Sequence, residues 1–135
     1  MEKIKGRNRV IQGLDHVAII VSSEKSISFY EKLGFSIIER IKRNYDEVVF
    51  METMGLILEI FVDEKHPQRL NQPEATGLRH LALRTDNITE TVAKLKKDGI
   101  ETEQIRQNWH GLNFTFVKDP DGLPIEIKEC GSKLA

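Results

Sequence analysis

Leu14-Asp15-His16-Val17-Ala18-Ile19 and Leu78-Arg79-His80-Leu81-Ala82-Leu83 are two versions of one pattern, and they decide the fold of this 135-residue chain. Each has a leucine, a histidine two residues later, and an alanine set among aliphatic residues, as in a largely buried strand. His80 follows His16 by 64 residues (80 − 16). A period this long, present only twice, indicates a duplicated module that folds as a pair.

Each histidine run is followed by the same order of predicted elements. An amphipathic helix comes next, ending at Gly34 in the first half and running from the cap Asn87 to Gly99 in the second. Three strand-like runs then follow in each half: 35–41, 47–51 and 55–62, and 102–106, 113–118 and 123–129. Short polar connections between them favour antiparallel pairing. The predicted fold class is therefore α+β, with two βαβββ modules in tandem.

Asp119-Pro120-Asp121-Gly122 introduces the last strand and is a strong turn signal. Proline presets φ near −65°, and glycine accepts a positive φ without a steric cost. The strand after this turn carries Glu126 between two isoleucines. On these boundaries, the sequence predicts one domain over residues 13–130. It would contain modules 13–65 and 77–130, a linker 66–76 rich in polar residues and proline, and an N-terminal tail 1–12.

The bulk composition excludes several classes of function. The 20 basic and 21 acidic residues are interspersed and give a net charge of −1, so neither nucleic acid nor a membrane surface is an expected partner. No apolar run is long enough to span a bilayer, and the basic N-terminus lacks the apolar region of a secretory signal. Cys130 is the single cysteine, which fits a reducing compartment. A cytoplasmic protein acting on a small-molecule substrate is expected.

Four side chains are candidates for one metal site: His16, Glu59, His80 and Glu126. Glu59 shares its strand face with Ile57 and Phe61 and has aliphatic neighbours on both sides, so this carboxylate has to be paired, protonated or bound to a metal. A single histidine in such a strand is usually a packed core residue. Here, however, each repeat supplies one histidine and one glutamate from equivalent strands. Two nitrogens and two oxygens suit Zn²⁺, Ni²⁺, Co²⁺, Mn²⁺ or Fe²⁺.

Six short segments carry a resemblance to a known family. They are Leu14-Asp15-His16-Val17-Ala18-Ile19, Ser28-Phe29-Tyr30 with Leu33-Gly34-Phe35, Leu58-Glu59-Ile60-Phe61, Gly77-Leu78-Arg79-His80-Leu81-Ala82, and Asp119-Pro120-Asp121-Gly122-Leu123-Pro124-Ile125-Glu126. Through them, residues 14–129 resemble the vicinal oxygen chelate superfamily, and within it the small bacterial glyoxalase I-like proteins. The resemblance implies the glyoxalase/bleomycin resistance/dioxygenase-like fold, in which paired βαβββ modules form a cupped sheet.

The resemblance also implies an activity and roles for the site residues. It implies a metal-dependent lyase similar to lactoylglutathione lyase, acting on the hemithioacetal of a 2-oxoaldehyde and a thiol by proton transfer through a metal-stabilised enediolate. His16, Glu59, His80 and Glu126 would be the metal ligands. Glu126 would be the catalytic base, with Glu59 as its counterpart. One divalent ion is implied per site, Ni²⁺, Co²⁺ or Zn²⁺, and a histidine in the first strand is typical of the Ni²⁺ and Co²⁺ enzymes.

Departures from the family pattern leave alternatives open. The segment 107–113 lacks the Lys/Gly-rich character usual near glutathione, so another thiol, or a substrate without one, is expected. Epimerase activity like that of methylmalonyl-CoA epimerase is a second hypothesis, although glutamine is typical there in place of Glu59. Metal-free binding of a drug-like molecule is a third. Four residues are candidates for a pocket rim: Arg43, Asn44, Arg106 and Trp109. A homodimer is possible, and the four ligands could come from one chain or from two.

Overall fold

The structure, a computed structural model, describes residues 10–130, so most of the predicted tail 1–12 lies outside the described residues. The strands are β1 (Val17–Val21), β2 (Ser36–Lys42), β3 (Glu47–Thr53), β4 (Leu56–Val62), β5 (Leu81–Thr85), β6 (Arg106–Gln107), β7 (Asn113–Lys118) and β8 (Pro124–Glu129). The helices are α1 (Lys25–Lys32) and α2 (Ile88–Lys97). Each half of the chain therefore has the order βαβββ, which confirms the predicted fold class.

The strands form two sheets of four, one from each module. Their orders are β1-β4-β3-β2 and β5-β8-β7-β6. In both, the first strand runs parallel to the last, and the remaining neighbours are antiparallel. Strands β1 and β5 consequently lie at the edges of their sheets. This topology places the start of the first strand beside the last strand in each module, where the four candidate ligands occur.

A shared core holds the two modules together. Helix α1 buries Ile27, Phe29 and Tyr30, and α2 buries Ile88 and Leu95. These side chains pack with one face of each sheet in a single apolar cluster that contains residues from both modules. Asn87 caps α2, its side chain accepting from the backbone N–H of Glu90 at 3.0 Å, as the sequence predicts. The opposite faces of the sheets, which carry the candidate ligands, are left free of the helices.

The turn before β8 also joins the modules. The backbone N–H of Gly122 donates to the carbonyl of Asp119 at 2.9 Å, and Gly122 has φ +92°, which explains the glycine. The buried carboxylate of Asp119 accepts from the backbone N–H groups of Asp121 and Leu123, each at 2.9 Å, and from the Tyr30 hydroxyl at 2.8 Å. Burial, followed by the charge of Asp119, raises the pKa of Tyr30 above its usual value, so the hydroxyl keeps its proton.

Tyr30→Phe is expected to lower the free energy of unfolding by about 1–3 kcal/mol, because it leaves a buried oxygen of Asp119 without its donor. Tyr45→Phe is the matched control, since Tyr45 is 66% exposed and the same atom is removed from the surface. Urea denaturation of both variants measures the difference. Equal stability of Tyr30→Phe and the wild type would show that the hydrogen bond from Tyr30 to Asp119 contributes nothing to the free energy of unfolding.

One strand is shorter than its sequence pattern predicts. The run 102–106 was expected to be a full strand, but only Arg106–Gln107 pairs in a ladder with β7. Upstream of β6, the backbone N–H of Glu103 donates to the carbonyl of Phe116 at 3.0 Å. The carbonyl of Glu103 accepts from the side-chain hydroxyl of Thr115 at 2.7 Å. At Glu103 the hydroxyl of Thr115 thus takes the place of a backbone N–H donor, and the regular β6–β7 ladder does not extend to this residue.

The segment between the modules is held to the second module by several side chains. Arg69 donates to the carbonyls of Leu78 and Arg79 at 3.3 and 2.9 Å, and Glu74 accepts from Arg79 at 2.7 Å. Asn71 donates through its side-chain amide to the carbonyl of Gly122 at 2.8 Å, beside the turn that precedes β8. Apart from an isolated bridge between Asn71 and Glu74, residues 66–76 form no strand and no helix. Within residues 10–130, neither helix has the length and apolar composition needed to cross a bilayer.

Candidate metal centre

The first module brings His16 and Glu59 together. His16 directly precedes β1, and Glu59 lies in the middle of β4, with Nε2 of the histidine 3.1 Å from Oε1 of the glutamate. On the other side of the ring, Nδ1 is 2.7 Å from Oδ2 of Asp15. The hydrogen bond to Asp15 raises the pKa of His16 most; desolvation opposes this increase, and the charge of Glu59 adds a smaller one. The 3.1 Å contact with Glu59 requires a proton on Nε2, because two lone pairs at this distance would repel each other. A metal ion that replaced this proton would be held by Nε2 and the carboxylate, while Nδ1 donates to Asp15.

The second module repeats this contact. His80 directly precedes β5, and its Nε2 is 3.2 Å from Oε1 of Glu126 in β8. The side chains of His80 and Glu126 are 23% and 17% exposed, so both are more sheltered than His16, at 37%. Phe116 of β7 packs edge-on against the His80 ring, with centroids 5.1 Å apart. This aromatic contact fixes the plane of the imidazole.

Strand register makes the two pairs equivalent. Ala18 pairs with Glu59 across β1 and β4, and Ala82 pairs with Glu126 across β5 and β8. In each module, the histidine lies two residues before the alanine, so it projects from the same sheet face as the glutamate. The two contacts thus arise from the same strand geometry. The repeat predicted the four residues as one set, and the structure brings them into contact as two pairs.

The structure does not bring the two pairs together. Among residues 10–130, there is no group of three or more His, Cys, Asp or Glu side chains placed to hold one metal ion. Each module therefore offers a half-site of one imidazole nitrogen and one carboxylate. A divalent transition metal normally takes three or four protein ligands, so one half-site cannot complete its coordination. The donor types fit such an ion, and two half-sites together would supply a full set.

A cavity of about 410 Å³ lies beside the first half-site. Its floor is apolar and is formed on the ligand-bearing face of the sheet by Ala18, Ile20 and Phe61. At the rim, the Arg43 guanidinium lies 4.6 Å from the Tyr45 ring centroid and 5.4 Å from that of Phe61. An apolar floor with a polar rim is typical of a small-molecule pocket.

The rim also contains residues that the sequence did not single out. Asp46 accepts twice from Arg43, at 2.7 Å each, and this cation lowers the pKa of Asp46. Asp63 lies at the same rim with His66, Oδ2 to Nδ1 at 3.6 Å. His66 is exposed and also lines this cavity. The alternation of β1 and β4 could have revealed the floor, whereas the rim depends on the conformation of loops.

The other candidate rim residues lie elsewhere. Arg43 is at the cavity, as proposed, but Asn44 is exposed and does not line it. Trp109 is 93% exposed in the loop before β7, together with the exposed His110. Arg106 lies in the second module, where its guanidinium stacks 4.8 Å from the centroid of Phe114. Of the four, only Arg43 borders the cavity of the first module.

Comparison with known proteins agrees with this fold. Residues 13–127 match the model of the Glyoxalase/Bleomycin resistance protein/Dioxygenase superfamily, and the chain belongs to that superfamily. The protein YwkD of Bacillus subtilis is 40% identical over 89% of this chain and 98% of its own length. The glyoxalase family protein of Enterococcus faecalis has a crystal structure that superposes with a TM-score of 0.83, at 38% identity, over 90% of this chain and 100% of its own. Mouse mitochondrial methylmalonyl-CoA epimerase is 30% identical over 87% of this chain and 72% of its own.

Proposed function

We propose that the protein is a metal-dependent lyase or isomerase of the glyoxalase I kind. Its substrate would be the hemithioacetal of a 2-oxoaldehyde and a thiol, or a similar compound with oxygens on adjacent carbons. The observation that carries this proposal is the pair of equivalent His–Glu contacts, at 3.1 and 3.2 Å, on matching strands of two modules. The two contacts occupy equivalent positions in the repeat, and together they would supply four ligands to one divalent ion.

The complete centre is proposed to form between two copies of the chain. His16 and Glu59 of one copy would face His80 and Glu126 of the other, because the described part of a single chain does not gather all four. Both half-sites lie next to edge strands, β1 and β5, which are free to approach a second copy. By symmetry, two copies joined in this way would form two equivalent centres.

The chemistry divides between the ion and the side chains. When bound, Ni²⁺, Co²⁺ or Zn²⁺ supplies a Lewis acid that acidifies a C–H next to a carbonyl. His16 and His80 hold their side of the site through Nε2, and Asp15 fixes the ring of His16. Glu126 is the proposed base: its side chain is only 17% exposed, and its carboxylate takes the proton from the substrate carbon, holds it and returns it to the neighbouring carbon. Glu59 occupies the equivalent position in the other half.

An ultraviolet assay tests the proposed function. Chelator-stripped protein is mixed with methylglyoxal and a series of thiols, and thioester formation is followed with and without added Ni²⁺, Co²⁺ or Zn²⁺. Turnover should be absent from the stripped protein and should return with at least one metal, because the histidines and carboxylates alone lack the Lewis acid. Turnover that is indifferent to chelator would contradict the proposal, as would its absence with every metal and thiol.

An epimerase is the second candidate, favoured by the likeness to the mouse enzyme over most of this chain. Such an enzyme would use the same base to remove and return the proton of one carbon of an acyl thioester, the carbon that lies between the thioester carbonyl and a second substituent. Incubation of the metal-loaded protein with methylmalonyl-CoA in deuterium oxide separates the two candidates. Incorporation of deuterium into methylmalonyl-CoA, without turnover of hemithioacetals, would select the epimerase.

A further inference from the structure

A row of positive charge crosses the ligand-bearing face of the second sheet. Lys128 is two residues after Glu126 in β8, and Arg84 is four residues after His80, so both project from the face of the His–Glu pair. Arg84 pairs with Lys128, Lys128 with Phe114, and Phe114 with Arg106. We call these four residues the cationic row. It runs across all four strands of the sheet, on the side of Glu126 nearer the end of β8.

Aromatic contacts connect the cationic row to the half-site. Arg106 stacks on Phe114 at 4.8 Å, Phe114 packs edge-on against Phe116 with centroids 6.1 Å apart, and Phe116 packs against His80 at 5.1 Å. These rings form a continuous apolar floor between the imidazole and the guanidinium. A ligand lying on that floor would touch the half-site at one end and the positive charges at the other.

The charges of the row are only partly neutralised. Arg106 makes an ion pair with Glu103 at 3.1 Å. Within residues 10–130, Arg84 and Lys128 make no ion pair, and Lys128 is half-buried. A lysine or arginine head group without an ion-pair partner is available to an anion, which a charge-assisted hydrogen bond would hold. Glu126, the carboxylate that β8 contributes to this face, is the one assigned to the metal.

The first module shows that the fold does not require these charges. The equivalent row there consists of residues that are all apolar: Ile20, Phe61, Val48 and Ile41. Ile20 is 52% exposed, so an apolar side chain is tolerated at the surface where Arg84 stands in the other module. Two half-sites with matching ligands thus carry rows of opposite character. A substrate bound between them would meet the positive row on one side. On the other it would meet an apolar row bordered by Arg43, whose charge is paired with Asp46.

We propose that the substrate of this site carries an anionic group, a carboxylate or a phosphate, which binds to the cationic row of Lys128, Arg84 and Arg106. The inference rests on the proposed function, because it places the reacting carbons at the metal centre. The two-residue step from Glu126 to Lys128 puts the anion about 7 Å from the proton-transferring carboxylate. The apolar row of the first module would contact the hydrocarbon part of the same molecule.

A pair of thiols of matched length tests the proposal. Hemithioacetals are formed from methylglyoxal with 3-mercaptopropionate or with 3-mercapto-1-propanol, and kcat/KM is measured for each with metal-loaded protein. The wild type should prefer the carboxylate by about tenfold or more, and Lys128→Gln should lose most of that preference through KM. Lys96→Gln, which removes an equal charge from the exposed face of α2, should keep it. Equal kcat/KM for the two thiols in the wild type would overturn the proposal.

A binding measurement separates failure of this proposal from failure of the proposed function. If neither hemithioacetal is turned over, metal-free protein is titrated with inorganic phosphate, and the amide NMR signals of Phe114 and Lys128 are followed. Saturable shifts that weaken severalfold in Lys128→Gln but not in Lys96→Gln would support the anion site without any catalysis. Absence of shifts in the wild type, or equal binding by both variants, would overturn it.

Discussion

Glu126→Gln is expected to reduce hemithioacetal turnover by about 10²- to 10⁴-fold while the protein remains folded, because an amide cannot accept the proton that the carboxylate removes. Glutamine has the same shape, and its side chain can still meet Nε2 of His80, which is 3.2 Å from the glutamate in the wild type. Steady-state kinetics at saturating metal measure the loss, and thermal unfolding checks the fold.

Glu101→Gln is the matched control, since Glu101 is exposed and makes no contact with either half-site. It should leave kcat unchanged. Substantial residual activity in Glu126→Gln would move the role of base to Glu59, which occupies the equivalent position in the first module. The same substitution at Glu59 would then have to produce the larger loss.

His80→Ala is expected to weaken binding of a divalent metal by at least about 100-fold, because it removes one of the two nitrogen donors from the proposed four-ligand centre. The loss should appear even though the histidine also packs against Phe116. Competition with a chromophoric chelator measures the affinity for Ni²⁺, Co²⁺ and Zn²⁺, with the protein first stripped of metal.

His110→Ala provides the comparison for that experiment. His110 is exposed in the loop before β7 and has no equivalent in the first module, so its removal should not change metal affinity. Unchanged affinity in His80→Ala would contradict the assignment of this histidine as a ligand. It would leave His80 as a side chain that packs on Phe116 and pairs with Glu126.

Much of the fold could be predicted from the sequence because the chain repeats itself. The two histidine runs predicted two modules, and the recurrence of one histidine and one glutamate in equivalent strands predicted the four candidate ligands. The strand register then shows that Glu59 and Glu126 lie on the faces of His16 and His80. The limits of strands were harder to predict. Strand β1 begins at Val17, where pairing with Leu58 begins, and not at Leu14, which is 76% exposed. Local composition cannot show where a partner strand starts.

The arrangement of the two half-sites could not be predicted from the pattern of the repeat. It depends on how the modules pack against each other, and that packing is set by contacts between distant residues. The hydroxyl of Tyr30 reaches Asp119, and the backbone N–H of Ser22 donates to Asp121 at 2.9 Å. These contacts hold α1 against the turn before β8. Neither Tyr30 nor Ser22 carries a sequence signal that names its partner.

The charge of the second sheet face was equally difficult to recognise in the sequence. Arg84 and Lys128 look like ordinary solvated ends of strands when each is read alone. Only the strand register places them side by side with Phe114 and Arg106. The first module has an apolar row at the equivalent position relative to its His–Glu pair. The charge of the second row is therefore not required by the fold.

The most direct test of a metal centre shared between two copies is to mix His16→Ala with His80→Ala and measure metal binding. Each variant alone should lack tight sites. After exchange of subunits, a mixed dimer would contain one intact centre, with His16 from one chain and His80 from the other, so about a quarter of the wild-type sites should return. No recovery of tight binding after subunit exchange would contradict a centre built from half-sites of two chains.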